Sequence, residues 1–224
     1  MAENLVNHPA SYDLLAQRAG QRSSRCPMSL NALYDLLGAR ELRRGLLRLA
    51  SGRVLEVAVG TGSNLPYYRP DCQITAVDID PQALSAAGRQ AARLGLQPTF
   101  RLMDAHRLDF PERSFDTVVS TFGLCAFSDP VAALREMARV CRADGLILLL
   151  DHGRSDTAWI AGLQDMLAGS WSAYLGRHWN HDLTLLLRQA GLIPLANHSA
   201  FGGLLRALEA TPLIYKTKPG SVGR

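Results

Sequence analysis

The sequence predicts an α/β protein built on a mostly parallel sheet. Residues 53–64, RVLEVAVGTGSN, read as a short apolar strand that breaks at Gly60 and Gly62. A second strand, QITAVDID over 73–80, ends in Asp78, 18 residues after Gly60. From there to Asp151, apolar strand-like runs alternate with amphipathic helical patterns, the signature of βαβ units. The 224 residues, 47% hydrophobic, suffice for one such domain with a full core.

Taken in order, residues 11–49 hold two helical patterns, Tyr12–Ala19 and Ser29–Ala50. Leu30, Leu33, Leu37, Leu42, Leu46 and Leu49 of the second share a stripe. We expect residues 1–50 to form a helical lid over the sheet's carboxyl edge, or to pack plainly on the sheet, and residues 51–224 to form the main domain. Eight Arg against four acidic residues within 1–53 account for the whole net charge of +4. That excess fits either a solvated helix face or peripheral contact with an anionic membrane. No basic run interleaves with aromatics, so nucleic acid is not expected as a partner.

The first strand leads into a glycine turn and then a helix whose unpaired N–H groups would face a ligand. A dinucleotide site needs a third glycine, yet Leu65 follows Gly60 and Gly62 where that pattern continues. Glu56, just before the turn, would repel a pyrophosphate and suits a cationic ligand. Asp78 stands where a carboxylate can accept two ribose hydroxyls; alternatively Asp78 or Asp80 caps the helix Pro81–Leu94, which Gly95 ends. A third strand is expected over 98–103, a fourth over 115–121, a helix over 128–142 and a fifth strand over LILLLDH. A helix over 182–190 and strands Leu192–Ser199 and Thr211–Lys218 follow. Cys26, Cys72, Cys125 and Cys141 lack C-x-x-C spacing, so no metal site is expected and reduced thiols in a cytoplasmic setting are. No stretch is long and apolar enough to span a membrane, and Met1–Asn7 lacks the start of a secretory signal.

Glu56-x-Ala58-x-Gly60-x-Gly62 resembles motif I of the class I methyltransferases, with alanine in place of the first glycine. DPVAALREMARVCRADG resembles that family's L-x-E-x-x-R-V-L block through Glu136, Arg139 and Val140. The resemblance covers residues 53–151. It implies a Rossmann-like seven-stranded sheet with an antiparallel last strand, S-adenosyl-L-methionine as cofactor, and methyl transfer by direct displacement. It also implies cofactor contacts at Glu56, Ala58, Gly60, Gly62, Asn64, Asp78, Ile79, Asp104, Ala105, Thr121 and Leu124, with Asp104 beside the adenine amino group and Asp116 structural.

Beyond Asp151 the chain resembles small thiol methyltransferases and mitochondrial membrane methyltransferases, and more distantly bacterial phospholipid N-methyltransferases. His152, with Asp151, is the candidate base for a thiol, amine or quinol acceptor, or else a residue that orients its loop. Trp159, Trp171, Tyr174 and Trp179 form an apolar acceptor wall or part of the core. The acceptor implied is a small apolar or lipid-like molecule. The alternative function is a non-catalytic assembly protein that keeps the fold and the cofactor.

Overall fold

The computed structural model describes residues 38–175 and 181–212, with backbone only over 168–175. Seven strands form one sheet in the order β3-β2-β1-β4-β5-β7-β6. They are β1 (Arg53–Val57), β2 (Gln73–Asp78), β3 (Thr99–Leu102), β4 (Phe115–Thr121), β5 (Cys141–His152), β6 (Leu192–Ala200) and β7 (Leu205–Pro212). The first five run parallel, and β7 inserts antiparallel between β5 and β6. The strand order reverses between β1 and β4, which is where open α/β sheets bind ligands.

Strand residues alternate between two packed faces. Leu55, Val57, Val118, Ile147 and Leu149 face α3 (Pro130–Val140) and α5 (Leu183–Gln189), where Leu134, Met137 and Leu187 are buried. Val54, Val119, Leu148 and Leu150 face α1 (Arg40–Leu47), through Leu46 and Leu47. Burial on both faces explains the uninterrupted ILLL run of β5. Helix α2 (Pro81–Leu94) matches its expected limits. Asp80 caps it by accepting from the Gln82 N–H, Pro81 opens it, and Gly95 closes it at φ 69°. Helix α4 (Ala158–Leu175) follows β5, and no described helix is long and apolar enough to cross a membrane.

Several expectations need correction. The glycine turn does not open an α-helix. It leads to a single 3₁₀ turn, Leu65–Tyr67: Pro66 sits in that turn's first residues, and Pro70 biases Arg69 away from helical backbone, so no helix continues. Helix α1 stops at Leu47, so Leu49 leaves the stripe and is exposed. The last described strand, β7, begins at Leu205 rather than at the expected Thr211. LLRALEA has a helical composition, but pairing with β5 and β6 holds it extended. The pattern Tyr12–Ala19, the start of the second pattern and residues 213–218 lie outside the described residues. No disulfide joins Cys72, Cys125 and Cys141.

Candidate functional site

The carboxyl ends of β1, β2, β4 and β5 bring Glu56, Asp78, Thr121, Asp151 and His152 to one edge of the sheet, and Asp104 follows β3 there. Glu56 is almost completely buried. Its Oε1 accepts from Asn64 Nδ2 at 2.9 Å and its Oε2 from the Tyr68 hydroxyl at 2.9 Å. Asn64 Nδ2 is held in turn by Thr121 Oγ1 at 3.0 Å. Burial raises the Glu56 pKa to about 7, against the opposing pull of the Tyr68 and Asn64 hydrogen bonds and the Arg43 charge. Burial and the neighbouring Glu56 carboxylate push the Tyr68 hydroxyl well above its ordinary value.

Asp78 does not cap α2; Asp80 does. Asp78 Oδ2 accepts from the Gly60 N–H at 2.8 Å and Oδ1 from the Asp80 N–H at 3.0 Å, and burial raises its pKa. These bonds tie the glycine turn to the end of β2. Half-buried Ile79 follows directly.

The two glycines differ. Gly60 has φ 56° and nothing within 4 Å of where a Cβ would stand, so its backbone faces open space. Gly62 has φ 82°, and a Cβ there would lie 2.9 Å from Leu65 Cδ1 and 3.2 Å from the Ala87 Cα. Its missing side chain lets the turn pack on α2. Ala58 adopts φ 60°, a left-handed conformation that strains any residue with a Cβ. The alanine thus keeps the backbone shape that a glycine would give.

Asp104 Oδ1 accepts from the His106 N–H at 2.9 Å and lies 2.6 Å from His106 Nδ1. That contact raises the His106 pKa. Ala105 is buried. Leu124 is 1% exposed and packs in the core, so its side chain is not open to a ligand. Glu136 and Arg139 serve the loop after β3: Glu136 accepts from the Leu108 N–H, and Arg139 donates to the Leu108 and Phe110 carbonyls. Asp116 accepts from the Arg53 N–H at the opposite edge of the sheet, a structural position.

Asp151 and His152 are both buried. Asp151 Oδ1 accepts from the His152 N–H at 2.7 Å and lies 3.3 Å from His152 Nδ1, while Oδ2 accepts from the Cys125 N–H at 3.3 Å. Phe122, at φ 55°, sets its ring 5.0 Å from the His152 ring. Cys125 is a buried thiol whose Sγ donates to the Phe122 carbonyl. Trp159 is 73% exposed, so it faces solvent rather than a buried acceptor wall. The side chains of Trp171, Tyr174, His178 and Trp179 lie outside the described residues. Tyr68, His106 and Arg43 belong to the site's surroundings, and no motif spacing marks them.

Residues 55–149 match the model of a methyltransferase domain. The chain is 40% identical over 136 residues to a phosphatidylethanolamine N-methyltransferase of Cereibacter sphaeroides, covering 60% of this chain and 66% of that one. It is 35% identical over 149 residues to a demethylmenaquinone methyltransferase of Deinococcus radiodurans, covering 60% and 62%. The chain thus spans slightly under two thirds of these relatives' length. A crystal structure described as a methyltransferase from Bacillus halodurans shares the fold, with a TM-score of 0.66 at 16% identity, over 79% of this chain and 99% of that one.

The domain matched over residues 55–149 is that of the class I S-adenosylmethionine-dependent methyltransferases. The phospholipid relative is nearer than the motif comparison implied. S-adenosylmethionine is the cofactor, and the donor set suits it: two buried carboxylates flank a glycine turn whose outer face is open.

Proposed function

We propose that this methyltransferase passes a methyl group to an apolar or lipid-like acceptor, a thiol, amine or quinol, by direct in-line displacement. The observation that carries the reading is the pair of buried carboxylates, Glu56 and Asp78, on adjoining parallel strands at the strand-order reversal, beside the open Gly60 backbone. Relatives named for a phospholipid and a quinone precursor support the acceptor class.

When bound, S-adenosylmethionine supplies an electrophilic methyl group on a sulfonium. Glu56, kept in place by Asn64, Thr121 and Tyr68, faces the donor's positive end. Asp78 offers its remaining lone pairs to the ribose hydroxyls, with Ile79 beside it. Asp104 and Ala105 border the adenine, and Gly60 admits the donor close to the backbone. Gly62, Ala58 and Leu124 shape the turn and its support rather than touch the donor through side chains. His152 takes the proton that a thiol, amine or quinol loses as it is methylated, with the Asp151 carboxylate 3.3 Å from its Nδ1. Catalysis rests on positioning in a site shielded from water.

The test is transfer of radiolabelled methyl from the donor to phosphatidylethanolamine, a demethylated menaquinol and an alkylthiol, each in anionic and in neutral vesicles. Transfer to at least one acceptor is expected. A preference for anionic vesicles supports peripheral membrane contact through residues 1–50. Cofactor binding with no transfer to any of the three contradicts the catalytic reading and favours a binding protein of the same fold.

A further inference from the structure

His106 joins the loop after β3 to the segment that leads from β4 into α3. It lies half-buried, two residues past Asp104. Two of its groups hold one oxygen: the His106 N–H donates to Asp104 Oδ1 at 2.9 Å, and the ring Nδ1 meets the same oxygen at 2.6 Å. An ionised carboxylate only accepts, so Nδ1 carries the proton and Nε2 of the neutral ring is the acceptor. Nε2 accepts from the Asp129 N–H at 3.3 Å and lies 3.4 Å from Ser128 Oγ. Asp129 is the N-cap of α3, where its Oδ1 accepts from the Ala132 N–H at 2.9 Å. The Phe127 ring meets the imidazole edge-on, with 5.8 Å between centroids. The imidazole is thus held at both nitrogens and against Phe127, by a segment anchored at a helix cap.

We propose that His106 is a positioning residue that aims the Asp104 carboxylate at the exocyclic amine of the cofactor's adenine, and so sets the site's preference for an amino-purine. The proposal rests on the cofactor site described above and extends it to a side chain that need not touch the donor. A lone aspartate turns about its Cα–Cβ and Cβ–Cγ bonds, which spreads the directions from which it accepts. Two donors on Oδ1 remove that freedom and fix where the second oxygen stands. The Asp104 side chain keeps 18% of its surface exposed, so the carboxylate is oriented without being sealed off. An exocyclic amine is a donor suited to it, whereas a purine lacking that amine offers no donor at the same place. Because the carboxylate is already oriented, little further order is lost on binding.

The experiment is titration calorimetry of the full chain with S-adenosylhomocysteine and with its purine analogue, in which hydrogen replaces the exocyclic amine. The wild-type protein is expected to prefer S-adenosylhomocysteine by roughly 10-fold or more, the usual worth of a hydrogen bond to a charged group. His106→Phe keeps a ring against Phe127 but loses both nitrogens. It should weaken S-adenosylhomocysteine by about 10-fold and leave the analogue within about twofold, so that the preference collapses. His106→Asn places an amide N–H close to where Nδ1 stands and should restore much of the preference. His106→Gln, whose amide reaches toward Ser128 and Asp129 instead, should not. Equal weakening of both ligands in the Phe variant, an Asn variant no more selective than the Gln variant, or no preference in the wild-type protein overturns the proposal while leaving the cofactor site standing. Failure of the wild-type protein to bind S-adenosylhomocysteine at all overturns the cofactor reading, and this proposal with it.

Discussion

At the scale of single residues, Glu56 combines two roles that pull against each other. Its position at the end of β1 buries a carboxylate, and that burial raises its pKa to about 7. The unfolded chain ionises near the ordinary value of 4.5, so the fold favours the protonated form. Its contribution to stability is therefore complete below pH 4.5 and is lost as pH rises through about 7, by up to about 3 kcal/mol. Denaturant unfolding of the wild-type protein across this window should show that fall, and Glu56→Gln should flatten it, since an amide can still pair with Asn64 and Tyr68. A cationic ligand group favours the ionised form, so S-adenosylhomocysteine should bind more tightly at pH 8 than at pH 6 in the wild-type protein only. A Gln variant with the same pH dependence of binding would remove Glu56 from the site. Motif spacing marks Glu56 and Asp78, because both fall at strand ends. It cannot mark Tyr68, which donates to the same carboxylate from the end of a 3₁₀ turn.

At the scale of elements, legibility follows how local the determining forces are. Helix α2 is readable from end to end because Asp80, Pro81 and Gly95 fix its limits through their own backbone chemistry. Strand β7 is not, because only its partners β5 and β6 decide where LRALEATP becomes extended. The glycine turn lies between these cases. Sequence marks Gly60 and Gly62 alike, but one faces open space and the other faces Leu65 and Ala87. Gly60→Ala should cost only about 1 kcal/mol of stability, from its positive φ, while S-adenosylhomocysteine affinity falls about tenfold or more. Gly62→Ala should cost more stability, about 2–3 kcal/mol, because its Cβ meets a helix backbone as well as a side chain. Thermal unfolding and calorimetry on the two variants separate these outcomes. Equal stability losses would mean that Gly60 is packed as tightly as Gly62.

For the whole molecule, the sheet order explains why residues spread over nearly a hundred positions meet. Parallel strands place their carboxyl ends at one edge, so Glu56, Asp78, Asp104, Thr121 and His152 converge without contact in sequence. That convergence was legible once the strands were counted. The acceptor side was less so, because aromatic residues on helices look alike whether they pack inward or, like Trp159, face solvent. The central claim is that this carboxylate-lined edge holds the methyl donor, and calorimetric titration of S-adenosylhomocysteine into the wild-type protein and Asp78→Asn tests it most directly. The account predicts measurable binding by the wild-type protein and a loss of about tenfold or more in the variant, whose amide keeps the Gly60 contact but loses the charge that receives hydroxyl groups. Equal affinity in both proteins, or no binding by either, would contradict it.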